Sequence, residues 1–168
     1  MKLCLFSIIS FSLFADLFAE SVKWPLFAFQ NGVPFKTVEE RVRVLKELGY
    51  DGIGSAKPSA GEQLKKRLKL YDEAQLKLFS FYVGGRLGAQ GHTYNPVITE
   101  MIAGLKGRDT VIELYVQGSK KDNTDEQAVA FVREIADQAK QSGLKVVLYP
   151  HANFYIDRIG DAVRVAKK

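Results

Sequence analysis

The chain has 168 residues, is 46% hydrophobic and carries a net charge of +5, which fits one ordinary globular domain. Its single cysteine, Cys4, sits in an apolar leader. A mature chain without that leader has no disulfide, no cysteine-based metal site and no thiol nucleophile.

Residues 1–19 open with Met1-Lys2, continue through the apolar run Leu3 to Phe14 and end in small residues near Ala19. That order reads as a secretory signal cleaved after Ala19, and it is too short to span a bilayer comfortably. Export to a periplasmic or extracellular space is therefore expected, with no stable membrane anchor once the signal is removed. Loss of Lys2 and Asp16 with the leader leaves the net charge unchanged.

From Trp24 onward, strand and helix patterns alternate. The first strand spans Trp24 to Phe29 and ends at Gln30-Asn31-Gly32, with Trp24, just before Pro25, expected to pack the bottom of the fold. Thr37 to Glu40 matches a capping box, Val38, Val42, Leu45 and Leu48 share one helical face, and Gly49 ends that helix. Tyr50 to Gly54 is a short second strand running into Ser55. Leu64, Leu68 and Tyr71 mark the second helix.

The third strand runs from Leu76 to Val83 and closes in Gly84-Gly85-Arg86, followed by a loop that holds His92. Asn95-Pro96 starts a third helix with a stripe of Val97, Met101, Ile102 and Leu105. Val111 to Val116 is the fourth strand. A second capping box, Thr124 to Gln127, opens a long helix with Ala128, Phe131, Val132, Ile135 and Ala139 inward, stopped by Gly143. Leu144 to Tyr149 forms the fifth strand, and Asp157 begins a last helix with Ile159, Val163 and Ala166 at core spacing.

Five consecutive βα units with parallel strands define an α/β fold. A doubly wound sheet would carry a glycine-rich phosphate loop, and Gly52-Ile53-Gly54 is only a fragment of one. The pattern fits a partial (β/α)8 TIM barrel better, with residues 20–168 forming the domain and units six to eight lacking. In that geometry ligands bind at the C-terminal strand ends, where Gln30, Asn31, Ser55, Arg86, Gln117, His151 and Asn153 fall.

His151 is the sharpest candidate, either as a proton-transfer or hydroxyl-binding group or as a strand-end histidine bonded to its own loop. Glu113, within strand four, reads as a catalytic carboxylate or as the partner of a neighbouring Lys or Arg. Arg86 follows two glycines, where a close backbone approach and a cation suit a phosphate or carboxylate. Gln30, Asn31, Gln117 and Asn153 have the placement to bind sugar hydroxyls. The basic run Lys65-Lys66-Arg67-Leu68-Lys69 surrounds Leu64, Leu68 and Tyr71 at helical spacing, so it reads as a solvated helix face and not as a nucleic-acid surface.

The opening Pro25-Leu26-Phe27-Ala28-Phe29-Gln30-Asn31-Gly32, the join Leu45-Lys46-Glu47-Leu48-Gly49-Tyr50-Asp51-Gly52-Ile53 and the stretch Gly143 to His151 resemble the xylose-isomerase-like barrels. That superfamily comprises sugar-phosphate isomerases and epimerases and relatives of the apurinic endonucleases. The resemblance spans Trp24 to Lys168 and covers the first five of eight units. It implies a sugar or keto-sugar as small-molecule ligand and, in complete members, a divalent metal (Mn, Mg, Co or Zn) that assists proton transfer. The first metal ligand there is usually a Glu two residues before the position of His151; here that residue is Tyr149, a poor ligand for a hard cation. No metal ligand is therefore assigned.

The resulting expectation is an exported sugar isomerase/epimerase-like barrel protein with His151 and Glu113 as catalytic candidates, inactive as a five-unit fragment. The alternative is a non-catalytic carbohydrate-binding or interaction protein on the same scaffold. Self-association through the open sheet edge is a further expectation.

Overall fold

The structure, a computed structural model, describes residues 24–32 and 35–168. The expected export leader, with Cys4, lies outside the described residues. Five helices flank a parallel wall: α1 (Val38–Glu47), α2 (Gly61–Glu73), α3 (Val97–Gly104), α4 (Asp125–Gln141) and α5 (Ile159–Ala166). The strands are β1 (Phe27–Phe29), β2 (Gly52–Gly54), β3 (Lys77–Leu78), β4 (Ser80–Gly88), β5 (Gly91–Tyr94), β6 (Val111–Gln117) and β7 (Lys145–Leu148).

β1, β2 and β3 pair in parallel, and β4, β6 and β7 do the same. The two sets form one wall because β3 and β4 are consecutive stretches of one strand, broken only at Phe79. Phe79 N–H donates to Ile53 O at 2.8 Å, Ala56 N–H to Ser80 O at 2.9 Å and Tyr82 N–H to Ala56 O at 2.9 Å. The spatial order therefore follows the order of the units along the chain, as in the barrel expected from sequence.

Period-two patterning sets the two faces of this wall. On β6, Ile112, Leu114 and Val116 are fully buried against the helices, while Glu113, Tyr115 and Gln117 face the other way, into the barrel. The outer layer closes over Leu64, Leu68, Met101, Ile102, Phe131 and Ile135. Helix starts follow the sequence signals. Thr37 Oγ1 accepts from Glu40 N–H at 3.1 Å, and Thr124 and Gln127 exchange both bonds of a capping box. Each such cap is worth about 1 kcal/mol.

Five readings change. Gly84-Gly85-Arg86 is not a loop: β4 continues to Gly88 and turns back antiparallel into β5, pairing Arg86 with Thr93 and Leu87 with His92. The two glycines are required in the strand. A Cβ on Gly84 would lie 2.2 Å from Tyr115 O and 2.4 Å from its ring, and one on Gly85 would lie 2.7 Å from Phe131. His92 accordingly lies in a strand, its ring 5.0 Å from Phe131 and its Nε2 2.7 Å from Glu134.

Trp24 does not pack the barrel bottom but is 82% exposed. In α5 the inward residues are Asp161, Ala162 and Val165, whereas Ile159 and Val163 are 75% and 45% exposed. The cause is Asp161, whose carboxylate accepts from Asp157 and Arg158 N–H and pairs with Lys120 and Arg164, turning that side of the helix inward. Leu48, expected on the inner face of α1, is its exposed C-cap. Among the described residues no helix is long and apolar enough to cross a membrane.

Candidate functional site

The inward faces of β2, β4 and β6 meet at Glu113. Its Oε2 accepts from Ser55 Oγ at 2.5 Å and its Oε1 from Ser80 Oγ at 2.7 Å, while Ser80 Oγ accepts from Ser55 N–H at 2.8 Å. Ser55 has φ 49, a left-handed conformation that few non-glycine residues adopt. The cycle of three bonds holds that bend where β2 exits toward α2. Glu113 therefore pairs with two serines and not with the Lys or Arg that the sequence made the plainest partner.

Above Glu113 along the same face lies a sheet of aromatic rings. Tyr82 packs 4.7 Å from Tyr115 and edge-on to Tyr149 at 5.0 Å; Tyr115 packs 5.4 Å from Phe154, and His151 stacks on Phe154 at 4.2 Å. Gly84 makes this possible, because the Tyr115 ring lies across its backbone. Burial pushes the Tyr82 phenol up to about 12, and the neighbouring Tyr115, Tyr149 and Glu113 add to it.

At the strand ends, a cavity of about 260 Å³ is lined by Arg86, Gln117, Gly118, Ser119, Asn153 and Phe154. Arg86 and Gln117 are register partners across β4 and β6. Asn153 and Phe154 reach them because the segment after β7 folds back over β6: Tyr155 N–H donates to Val116 O at 2.9 Å and His151 N–H to Ile156 O at 3.0 Å. Asn153 makes the sharp turn at φ 67, its N–H bonded to Asp157 Oδ1. Asparagine tolerates that conformation better than most residues.

This returning segment is clamped to α4 and α5. Tyr155 Oη donates to Asp125 at 2.8 Å, and Arg164 reaches the same carboxylate at 2.9 Å. Those bonds hold the Asp125 carboxyl well below the usual range, Arg164 contributing most. Burial, then the bond to Asp125, pushes the Tyr155 phenol up to about 12.

The structure thus brings three of the sequence candidates, Arg86, Gln117 and Asn153, to one cavity. Gln30 is buried and tied elsewhere: its Oε1 accepts from Lys57 N–H at 3.0 Å, linking the exits of β1 and β2. Asn31 is exposed in the 3-10 turn after β1. His151 is exposed, and its Nδ1 lies 3.0 Å from Ala152 O in its own loop; it borders the cavity only through Phe154. Sequence reasoning missed Ser80, Tyr82, Tyr115, Ser119 and Phe154. Period-two alternation from Glu113 picks out Tyr115, but nothing local marks Ser80 as its neighbour.

The donor set does not by itself suit a divalent metal. Both Glu113 oxygens are engaged by serines, Tyr149 beyond β7 offers only a neutral phenol, and no group of three His, Cys, Asp or Glu side chains gathers among the described residues.

No protein-family model matches the chain, and no curated protein sequence matches it. Among solved structures, it is similar to the 3-keto-D-glucoside 4-epimerase YcjR from E. coli, with TM-score 0.61 and 16% identity over 86% of this chain and 64% of that one. It is also similar to a xylose isomerase-like TIM barrel protein from Mycobacterium smegmatis in complex with magnesium, with TM-score 0.58 and 16% identity over 86% of this chain and 60% of that one. The chain therefore has the fold of part of a TIM barrel and spans less than two thirds of the length of either of these proteins.

Proposed function

We propose that this chain binds a sugar or keto-sugar at its barrel mouth, as part of a sugar isomerase/epimerase-type scaffold. The observation that carries the reading is the cavity where Arg86, Gln117 and Asn153 converge beside Phe154 and the Tyr115 ring. Amide and hydroxyl groups supply the hydrogen bonds that orient a polyol, and an aromatic face supplies its apolar contact. The similarity to a sugar epimerase fold supports the same ligand class.

Within this reading, Glu113, the inward carboxylate of β6, and His151, on the loop beyond β7, are the proton-transfer candidates. The apolar leader supports export, and the edges of β1 and β7, which pair with no further strand among the described residues, support self-association.

A non-catalytic carbohydrate-binding role is the second reading, favoured by Tyr149 and by the serine-bound state of Glu113. Incubation of the full chain with a ketohexose such as D-fructose in D2O, with and without added Mn2+, separates the two. Deuterium at the carbon next to the carbonyl, lost in Glu113→Gln, supports catalysis. Binding without exchange supports recognition alone, and absence of both overturns the proposal.

A further inference from the structure

We infer that the mouth cavity is a carboxylate subsite, and that the sugar it takes is an acid, held through Arg86; this rests on the sugar-binding reading above. The polar lining of the cavity is made of donors and neutral amides: the Arg86 guanidinium, the Gln117 and Asn153 amides and the Ser119 hydroxyl. Ser119 Oγ already accepts from Lys121 N–H at 3.1 Å, which leaves its proton free for a ligand oxygen. No carboxylate lines the cavity. Among the described residues the Arg86 guanidinium forms no ion pair and no side-chain hydrogen bond, unlike Lys120, next to Ser119 in the chain, which is held by Asp161 at 2.6 Å. A neutral polyol would leave the charge of the cation uncompensated; an oxyanion neutralises it while accepting from the other three groups.

The choice between carboxylate and phosphate follows from what surrounds Arg86. Phosphate sites commonly draw on a free helix N-terminus or on several cations. The helix that follows β6 offers neither. The N-terminus of α4 is closed by the Thr124–Gln127 capping box, and its first turn carries Asp125 and Glu126. One planar guanidinium matches one carboxylate in charge and in fork geometry. Phe154 on the wall places an apolar surface beside that fork, suited to the ring of the same ligand.

The test is calorimetric titration of the full chain with D-glucuronate, D-glucose 6-phosphate and D-glucose, on the wild type, Arg86→Gln, Arg86→Lys and Lys121→Gln. Glucuronate is expected to bind about ten-fold tighter than glucose, one charge-assisted hydrogen bond's worth. Arg86→Gln should remove that preference, so that glucuronate binds no tighter than glucose to that variant. Arg86→Lys should keep part of it, and Lys121→Gln all of it. Circular dichroism confirms that each variant folds. Equal binding of glucuronate and glucose overturns the anion subsite while the sugar reading stands. Tightest binding of glucose 6-phosphate overturns the carboxylate assignment. A preference that survives Arg86→Gln overturns the role of Arg86, and binding of none of the three overturns both the subsite and the sugar reading.

Discussion

Ser55 and Glu113, 58 residues apart in sequence, meet on the inward side of the strands in a 2.5 Å hydrogen bond. One end of that bond is a left-handed residue at the exit of β2; the other is the single carboxylate on the inward face of β6. Ser80, between them on β4, bonds to both. The three strands are thus joined by side chains as well as by the backbone ladder.

Removing the carboxylate leaves two serine hydroxyls without their acceptor. Glu113→Ala is expected to destabilise the chain by about 1–3 kcal/mol, read from the urea midpoint. Ser55→Gly should cost less, since glycine accepts the left-handed backbone that Ser55 must be held in. An unchanged midpoint for Glu113→Ala would contradict a structural role for the cycle.

Gly84→Ala tests the packing of the aromatic face. The added methyl would sit 2.2 Å from the Tyr115 carbonyl oxygen, so β4 or β6 must shift. A loss of about 1–3 kcal/mol is expected, the usual cost of overpacking. Gly88→Ala, on the same strand with open space around it, should change the midpoint little. Equal effects at the two positions would contradict the placement of Tyr115.

Asp125 and Asp161 both have carboxyls held below the usual carboxylate range. At Asp125 the Arg164 and Tyr155 hydrogen bonds cause it; at Asp161 burial opposes the change, and the bonds from Lys120 and Arg164 outweigh it. Depressed carboxylates contribute stability that is complete above their unfolded value near 3.8 and is lost as pH falls below it. Thermal stability should therefore drop as pH is lowered from 4 toward 2, and Asp125→Asn should flatten that dependence while lowering stability at neutral pH. A wild-type profile flat over that interval would contradict the clamp.

Tyr82 and Tyr155 both have phenols raised to about 12. The neutral form is favoured in the folded chain, so each contributes stability that is present below 10 and lost as pH rises through 12. Burial raises the Tyr71 phenol as well, so ultraviolet titration should show three phenols ionising late, one of them missing in Tyr82→Phe. Ionisation of all seven tyrosines together near the ordinary value would contradict the buried placement.

Much of this fold was legible because period-two and helical spacing are local. Val111 to Val116, the Thr37 cap, the Thr124–Gln127 capping box and the stripe Leu64, Leu68, Tyr71 needed no distant partner to be recognised, although the Glu40 carboxylate accepts from Lys36 N–H and leaves the first box half formed. Gly84-Gly85 misled because glycines usually weaken strands; here Tyr115 and Phe131, far along the chain, demand them. The face of α5 misled for a similar reason, since Ile159 and Val163 have core spacing but Asp161 has the partners. In the site, Arg86, Gln117 and Asn153 were legible from strand-end position alone. Ser80 and Phe154 were not, because their roles depend on register and on a loop that doubles back.

Ligand recognition at the mouth is tested most directly by saturation-transfer NMR, irradiating the aromatic protons of the full chain in the presence of D-glucuronate. Transfer to the sugar ring protons, abolished in Gln117→Ala and Tyr115→Ala but retained in Trp24→Ala, is the predicted result. No transfer in the wild type, or transfer that Gln117→Ala and Tyr115→Ala leave intact, would contradict it.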